Sequence, residues 1–174
     1  MGHVSSEPIA MELIGVRVEL PTNTPIVLLR ETTGARRYLS IFIGAPEATA
    51  IAFALEQVDT PRPLTHDLMK NVLDTLGVTV VQVVVTELRD QTYFAELVLQ
   101  AFGETHVISS RPSDALALAV RVGCPVLALP EVLDIAGYPE DPEDVDDDEN
   151  VDPDEMVEEF RHFIDSVNPD DFAS

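Results

Sequence analysis

The chain has 174 residues, of which 45% are hydrophobic, and its formal net charge is −22 at neutral pH. This length favours one domain with an appendage, and the hydrophobic content suits a globular core. The negative net charge argues against a broad basic surface that binds the phosphates of nucleic acid. The single cysteine, Cys124, cannot form an internal disulfide. It is interpreted as a small core residue in a protein of a reducing compartment.

The chain begins with a predicted flexible N-terminus, residues 1–10, and continues as a meander of three strands and a helix. Apolar residues alternate in each predicted strand, and turn residues separate the strands. These strands cover residues 11–20, 26–31 and 37–43. Gly15 indicates a bulge in the first of them. Pro46 then opens a helix of about 12 residues, because proline suits the first helical position.

A proline-rich link leads to a second helix, His66–Leu76, whose apolar residues have helical spacing. Thr65 is its predicted N-cap and Gly77 its predicted C-cap. Three more alternating strands follow, at residues 78–88, 92–101 and 104–110. The helix Pro112–Val122 ends at Gly123, and a short strand and a short helix then complete a domain predicted over residues 11–138.

The two units share one strand-to-helix joint. Residues 36–55 read RRYLSIFIGAPEATAIAFAL, and residues 104–121 read ETHVISSRPSDALALAVR. When a one-residue gap is allowed after the proline, Glu47 aligns with Asp114. We therefore predict an α+β fold of duplicated β3-α units, in which a mixed or antiparallel sheet packs with helices. The two acidic helix starts are placed where a shared cleft could form.

The negative charge is concentrated at the C-terminus. Residues 139–174 contain 16 acidic residues and one basic residue, which predicts a disordered acidic linker at 139–153. Residues 154–174 are predicted to form an amphipathic helix and tail, whose apolar stripe could dock on the same subunit, a second subunit or another protein. The linker has partial EF-hand spacing, but Glu149 replaces the required glycine, so a solvated acidic linker is the preferred interpretation.

Three polar clusters lie at the starts of predicted helices, where backbone N–H groups and the helix dipole favour anions. Their polar residues are Glu47 in the first, Arg62, His66 and Asp67 in the second, and Arg111, Ser113 and Asp114 in the third. Arginine can grip a phosphate, carboxylates can hold Mg²⁺ or Mn²⁺, and histidine can exchange protons at neutral pH. A structural interpretation fits equally, because acidic residues in first turns offset the dipole and Thr65 and Ser110 suit helix caps.

The stretches RYLSIFIGAPEATAIAFAL, PRPLTHDLMKNVLDTLG and SSRPSDALALAVRVGCPVLA resemble the bifunctional nuclease family. The resemblance covers about residues 11–135, and the acidic tail with the ending FIDSVNPDDF is similar to actinobacterial members. It implies an α+β fold of two β3-α units, usually dimeric, and degradation of both DNA and RNA. Carried over residue by residue, it points to Glu47, Arg62, His66, Asp67, Arg111, Ser113 and Asp114.

The resemblance also implies roles for these residues. The implied catalytic residues are His66, Asp67, Asp114 and Glu47, and the implied substrate-binding residues are Arg62, Arg111 and Ser113. Mg²⁺ or Mn²⁺ would be held by Asp67 and Asp114, and no organic cofactor is expected. Such a site is expected to be asymmetric, centred on the RPSD and PLTHD segments. Replacing Asp67 or Asp114 by alanine is then expected to abolish cutting without lowering the melting temperature.

The expected partners are DNA or RNA, a second copy of the chain, and a protein that binds the C-terminal helix. The apolar runs are too short to cross a bilayer and the N-terminus lacks a signal-peptide pattern, so we predict a cytoplasmic protein with no membrane association. The acidic surface leaves an alternative open, a non-catalytic dimeric module that binds a small anionic ligand or a partner protein.

Overall fold

A computed structural model describes residues 7–139 of the chain. The acidic segment from residue 140 onwards, its EF-hand-like pattern and the predicted C-terminal helix at 154–174 lie outside the described residues. Residues 1–6 of the predicted N-terminal segment also lie outside them. In the part of the chain that the structure describes, no helix is long and apolar enough to span a membrane.

The first unit is the predicted meander of three antiparallel strands followed by a helix. Its elements are β1 (Ile9–Glu19), β2 (Thr24–Glu31), β3 (Tyr38–Phe42) and α1 (Ala45–Leu55). The β1–β2 register shifts between Leu13 and Gly15, which confirms the predicted bulge. Helix α1 begins one residue earlier than predicted, so Pro46 occupies its second position, where the missing N–H is still tolerated.

The second unit repeats this order after an intervening helix, and two short elements follow it. These elements are α2 (Thr65–Thr75), β4 (Thr79–Arg89), β5 (Thr92–Ala101), β6 (Glu104–Ser110), α3 (Pro112–Val122), β7 (Val126–Ala128) and α4 (Pro130–Ala136). Helix α3 has its predicted bounds, and Gly123 ends it in the left-handed conformation with φ 72°. Gly77 likewise takes a positive φ, one residue after the C-cap Leu76 of α2.

The predicted N-caps of α2 and α3 are each wrong by one residue. Thr65 is the first helical residue of α2 rather than its N-cap, and Leu64 occupies the cap position. The Asp67 carboxylate accepts a hydrogen bond from the Leu64 N–H at 2.9 Å, so a threonine cap is not needed. At α3 the N-cap is Arg111 instead of Ser110, whose hydroxyl donates to the Arg111 carbonyl at 2.9 Å.

All seven strands form one mixed sheet in the order β3-β2-β1-β7-β4-β5-β6. The three strands of each unit are antiparallel, and β7 joins the units because it pairs antiparallel with β1 and parallel with β4. Val126 in β7 is opposite both Met11 and Val83. The structure therefore confirms the predicted α+β class, and the short strand β7 lies at the centre of the sheet.

The core lies between this sheet and the alanine-rich helices. Helix α1 packs on β1 and β2, α3 packs on β4 and β5, and the two helices contact each other. Their buried alanines let the backbones approach closely; they are Ala48, Ala50 and Ala52 in α1 and Ala115, Ala117 and Ala119 in α3. Helix α2 packs against α3.

Most of the apolar residues of α2 do not enter the core. Leu73 packs against buried apolar residues of β4, β5 and α3. The other apolar side chains are exposed: Leu68, Met69, Val72 and Leu76. The helical spacing of these residues is confirmed, but it marks an exposed apolar face of α2 rather than a buried one.

Candidate functional site

Each of the helices α1, α2 and α3 carries an acidic residue at its third position. These residues are Glu47, Asp67 and Asp114. A carboxylate in a first turn is favourable because the backbone N–H groups there point towards it and the helix dipole is positive. The equivalent placement of Glu47 and Asp114 follows from the repeat, but their contacts distinguish a candidate active site from simple dipole compensation.

Four side chains form a hydrogen-bonded group that we call the Asp114 cluster: Glu47, His66, Arg111 and Asp114. His66 Nε2 lies 3.0 Å from Asp114 Oδ1. Arg111 donates from Nε to Asp114 Oδ2 at 2.6 Å and from Nη2 to Glu47 Oε1 at 3.0 Å. The cluster therefore links the starts of α1, α2 and α3, and Glu47 and Asp114 flank one arginine.

The electrostatics of the cluster keep Asp114 ionised. Burial would raise the pKa of the Asp114 carboxyl, but hydrogen bonds from Arg111 and His66 outweigh burial and lower the pKa below its usual value. The hydrogen bond to Asp114 is the largest cause of the raised pKa of Arg111. Asp114 is thus suited to orient a partner and stabilise positive charge, and unsuited to donate a proton at neutral pH.

The hydrogen bond to Asp114 also sets the tautomer of His66. When the imidazole is neutral, the Nε2–H donates to the carboxylate, and Nδ1 is left as a proton acceptor. The side chain of His66 is only 9% exposed, which holds the ring in a fixed orientation. Arg111 differs, because its side chain is 66% exposed and its Nη1 donates to no atom of residues 7–139. A fixed base and an accessible cation therefore share one carboxylate.

Asp67 belongs to a separate ion pair. Arg121 donates from Nε to Asp67 Oδ1 at 2.6 Å, while Nη1 donates to the carbonyl oxygens of Ala50 at 2.9 Å and Ala117 at 2.8 Å. The Arg121 side chain is 7% exposed and that of Asp67 is 34% exposed. Burial would raise the pKa of Asp67, but Arg121 and the Leu64 N–H lower it. Through these hydrogen bonds the Arg121 side chain on α3 connects α2 with α1.

The two remaining predicted residues lie outside the hydrogen-bonded cluster. Ser113 is buried at the second position of α3, beside Asp114. Arg62 is exposed in the connection between α1 and α2, where its carbonyl accepts a hydrogen bond from the Thr60 hydroxyl at 2.8 Å. Within residues 7–139 neither side chain makes an ion pair, so their roles in substrate binding stay predictions.

The predicted metal ligands do not share a site in this arrangement. Both carboxylate oxygens of Asp114 are engaged by His66 and Arg111, and both of Asp67 by Arg121 and Leu64. Among residues 7–139, no three His, Cys, Asp or Glu side chains are grouped so that they could hold a metal ion. The residues as placed therefore do not fit a shared Mg²⁺ or Mn²⁺.

The Asp114 cluster lies within a known family domain. The bifunctional nuclease domain matches residues 27–141, which contain all four residues of the Asp114 cluster. The chain belongs to the bifunctional nuclease family. The membership predicted from the three sequence stretches is therefore confirmed.

Relatives of this family member fall into two groups. An uncharacterized protein of Mycobacterium tuberculosis strain H37Rv is 41% identical over 164 residues, which cover 94% of this chain and 98% of the relative. Bifunctional nuclease 1 of Arabidopsis thaliana is 30% identical over 105 residues, 59% of this chain and 32% of the plant protein. Bifunctional nuclease 2 of the same plant is 31% identical over 112 residues, covering 62% and 34%. The mycobacterial similarity agrees with the predicted actinobacterial type.

The residue contacting a predicted site residue that sequence reasoning missed in this bifunctional nuclease family member is Arg121, which pairs with Asp67. A signal was present, because an arginine inside the apolar run ALALAVRV falls on a helix whose neighbouring residues are buried. A buried arginine needs a carboxylate or carbonyl partner. Its partner is 54 residues away in the sequence, so only the packing of α2 against α3 identifies it as Asp67.

The lowered pKa of Asp67 leads to an expected pH dependence of stability. An acid whose folded pKa is depressed contributes stability above its unfolded pKa, near 3.8 here, and loses that contribution as the pH falls through the folded pKa. We expect the melting temperature of Asp67→Asn to lie below that of the wild type at neutral pH, and the gap to narrow below about pH 4. Circular dichroism melts between neutral and acidic pH measure this gap, and a constant gap would contradict the assignment.

Proposed function

We propose that this protein hydrolyses phosphodiester bonds of DNA and RNA at the Asp114 cluster. Membership of the bifunctional nuclease family supports the class of reaction. The structural observation that carries the proposal is the hydrogen-bonded His66–Asp114 pair beside the exposed Arg111. This arrangement combines a proton acceptor, a carboxylate that orients it, and a cation that can contact a phosphate.

His66 is the proposed general base. Its Nδ1 takes a proton from the attacking water as the new P–O bond forms, and the bond between phosphorus and the leaving oxygen breaks. The imidazolium that results is stabilised by Asp114 through the Nε2–H. The leaving oxygen takes a proton from solvent, and loss of the Nδ1 proton to water restores the neutral ring.

Arg111 is the proposed phosphate ligand. Two of its donor atoms hold Glu47 and Asp114, so the guanidinium is fixed while Nη1 is available to a non-bridging phosphate oxygen. Negative charge grows on those oxygens during attack, and a pre-positioned arginine stabilises it. The first turns of α2 and α3 add backbone N–H groups that favour an anion. These local features offset the acidic balance of the chain.

The alternative is a non-catalytic dimeric module that binds a small anionic ligand or a partner protein. The exposed apolar residues of α2 and its C-cap favour a protein partner, because they lie close together along one short helix. They are Leu68, Met69, Val72 and the C-cap Leu76. The acidic charge of the chain also disfavours a polyanionic substrate away from Arg111.

A cleavage assay separates the two functions. Purified full-length protein is incubated with single-stranded DNA and with RNA, after dialysis against EDTA and after addition of Mg²⁺ or Mn²⁺. We expect both substrates to be cut, and cutting only after the divalent cation is added would support the predicted metal dependence. Equal cutting with and without EDTA would reject that dependence but keep the nuclease. No cutting under any condition, together with tight binding of a partner protein, would support the module instead.

A further inference from the structure

A second candidate site lies beside the Asp67–Arg121 ion pair. A pocket of about 360 Å³ opens between the end of α1, the α1–α2 connection and α3. Its lining includes the apolar residues Phe53, Val58, Leu64 and Val120, but polar groups provide the larger share of its accessible surface. A volume of this size is sufficient for a small organic ligand.

Arg121 gives this pocket a hydrogen-bond donor. Its side chain is 93% buried, since only 7% is exposed, and Nε and Nη1 donate to Asp67 and to two helix carbonyls. Nη2 donates to no atom of residues 7–139, and Arg121 lines the pocket. Because this N–H remains accessible from the pocket, a ligand with a carbonyl or ring-nitrogen acceptor could bind to it.

The charges around the pocket indicate what kind of acceptor this is. Arg121 is positive, while Asp67 and the exposed Asp59 at the rim are negative, so the lining carries a net charge of −1. A phosphate or carboxylate ligand is therefore disfavoured. A neutral ring with polar edges fits better, because its edge can accept from Arg121 and donate to Asp59 while its faces contact apolar lining residues such as Val58.

We propose that this pocket binds a nucleobase, either of a single-stranded nucleic acid or of a free nucleoside. The proposal rests on the proposed nuclease function. Asp67 lines the pocket and adjoins His66 of the Asp114 cluster in the first turn of α2. A base held against Arg121 would therefore anchor a strand next to the residues that act on its phosphates.

Nuclear magnetic resonance of the ¹⁵N-labelled full-length protein tests this without any cleavage. The probes are guanosine, which offers the acceptors that arginine most often contacts, and ribose 5-phosphate, which has the sugar and phosphate but no base. We expect guanosine to shift the amide signals of Ala54, Thr60 and Val120, and ribose 5-phosphate to leave them in place. The same shifts from a single-stranded oligonucleotide, at lower concentration, would identify the strand as the preferred source of the base.

Two variants make the assignment specific. Ala54→Phe fills the pocket, and Asp59→Asn removes an exposed carboxylate at its rim without touching the core. We expect Ala54→Phe to abolish the guanosine shifts and Asp59→Asn to weaken guanosine binding about fivefold to tenfold. The matched control is Glu56→Gln, an equally exposed carboxylate that does not line the pocket, and it should bind like the wild type.

The outcomes for the pocket and for the nuclease are distinguishable. If the protein cuts nucleic acid but guanosine leaves the pocket signals unchanged, the nucleobase proposal is overturned and the nuclease stands. If guanosine binds and no cleavage occurs, the pocket stands and the nuclease fails. Shifts caused equally by ribose 5-phosphate would overturn the nucleobase proposal, because they would show an anion site.

Discussion

Replacing Asp67 with alanine is expected to lower the free energy of unfolding by about 2–3 kcal/mol and the melting temperature by roughly 10 °C. The reason is Arg121, whose guanidinium is 7% exposed and would lose its only carboxylate partner among residues 7–139. Removing one member of a fully buried ion pair costs about 3–5 kcal/mol. The estimate is smaller here because the Asp67 side chain is 34% exposed and water can partly replace it.

Asp74→Ala is the matched control for this expectation. It makes the same chemical change on the same helix, where Asp74 pairs with Lys70 at the surface. A surface pair contributes at most about 1 kcal/mol, so its loss should barely change the melting temperature. Adding Arg121→Met to Asp67→Ala removes the uncompensated charge and should recover part of the lost stability. Equal melting temperatures for Asp67→Ala and Asp74→Ala would contradict the buried-pair interpretation.

This expectation reverses the one drawn from sequence, in which Asp67 was a catalytic residue that could be removed without a stability change. The repeat correctly indicated that Glu47 and Asp114 share a location, because local patterning determines where each helix begins. Arg111 joins them across 64 residues of sequence. Asp67 lies one residue after His66, yet its partner is the buried Arg121. The direction of two adjacent side chains depends on how α2 packs, and the sequence pattern does not specify that packing.

The elements themselves could be predicted because their signals are local. Alternating apolar residues define the strands, and Gly123 in a left-handed conformation ends α3 at the predicted place. The position of β7 could not be predicted in this way. A strand of three residues has too little pattern of its own, and its place between β1 and β4 depends on pairing with residues far apart in sequence.

The predicted asymmetry of the site has a structural basis in the helix caps. The N-cap of α3 is Arg111, whereas that of α1 is Gly44. A Cβ atom at Gly44 would overlap the carboxylate of Glu47, so the glycine leaves room for that side chain to fold back over the helix start. The first copy of the joint therefore supplies a carboxylate, and the second supplies the arginine that binds it.

Asp114→Asn is expected to reduce cleavage of both DNA and RNA by a factor on the order of 10²–10⁴. Asparagine preserves the shape of the side chain but removes the charge that stabilises the imidazolium of His66. The amide can also present an N–H to His66 Nε2, which would favour the wrong tautomer. Initial rates of oligonucleotide cleavage, measured for the wild type and the variant in parallel preparations, determine the factor.

Stability measurements show whether the loss of cleavage in Asp114→Asn comes from the altered chemistry of the site or from a destabilised fold. Asp114 is 27% exposed and its partner Arg111 is 66% exposed, so Asp114→Asn should cost no more than about 1 kcal/mol, far less than Asp67→Ala. Glu47→Gln keeps the His66–Asp114 pair and removes only the second anchor of Arg111, so its main effect should be a higher KM. If Asp114→Asn cuts as fast as the wild type, the activity comes from another site or from a contaminating nuclease. If its melting temperature falls as far as that of Asp67→Ala, Asp114 has a structural role, and His66 would lose its place as the general base.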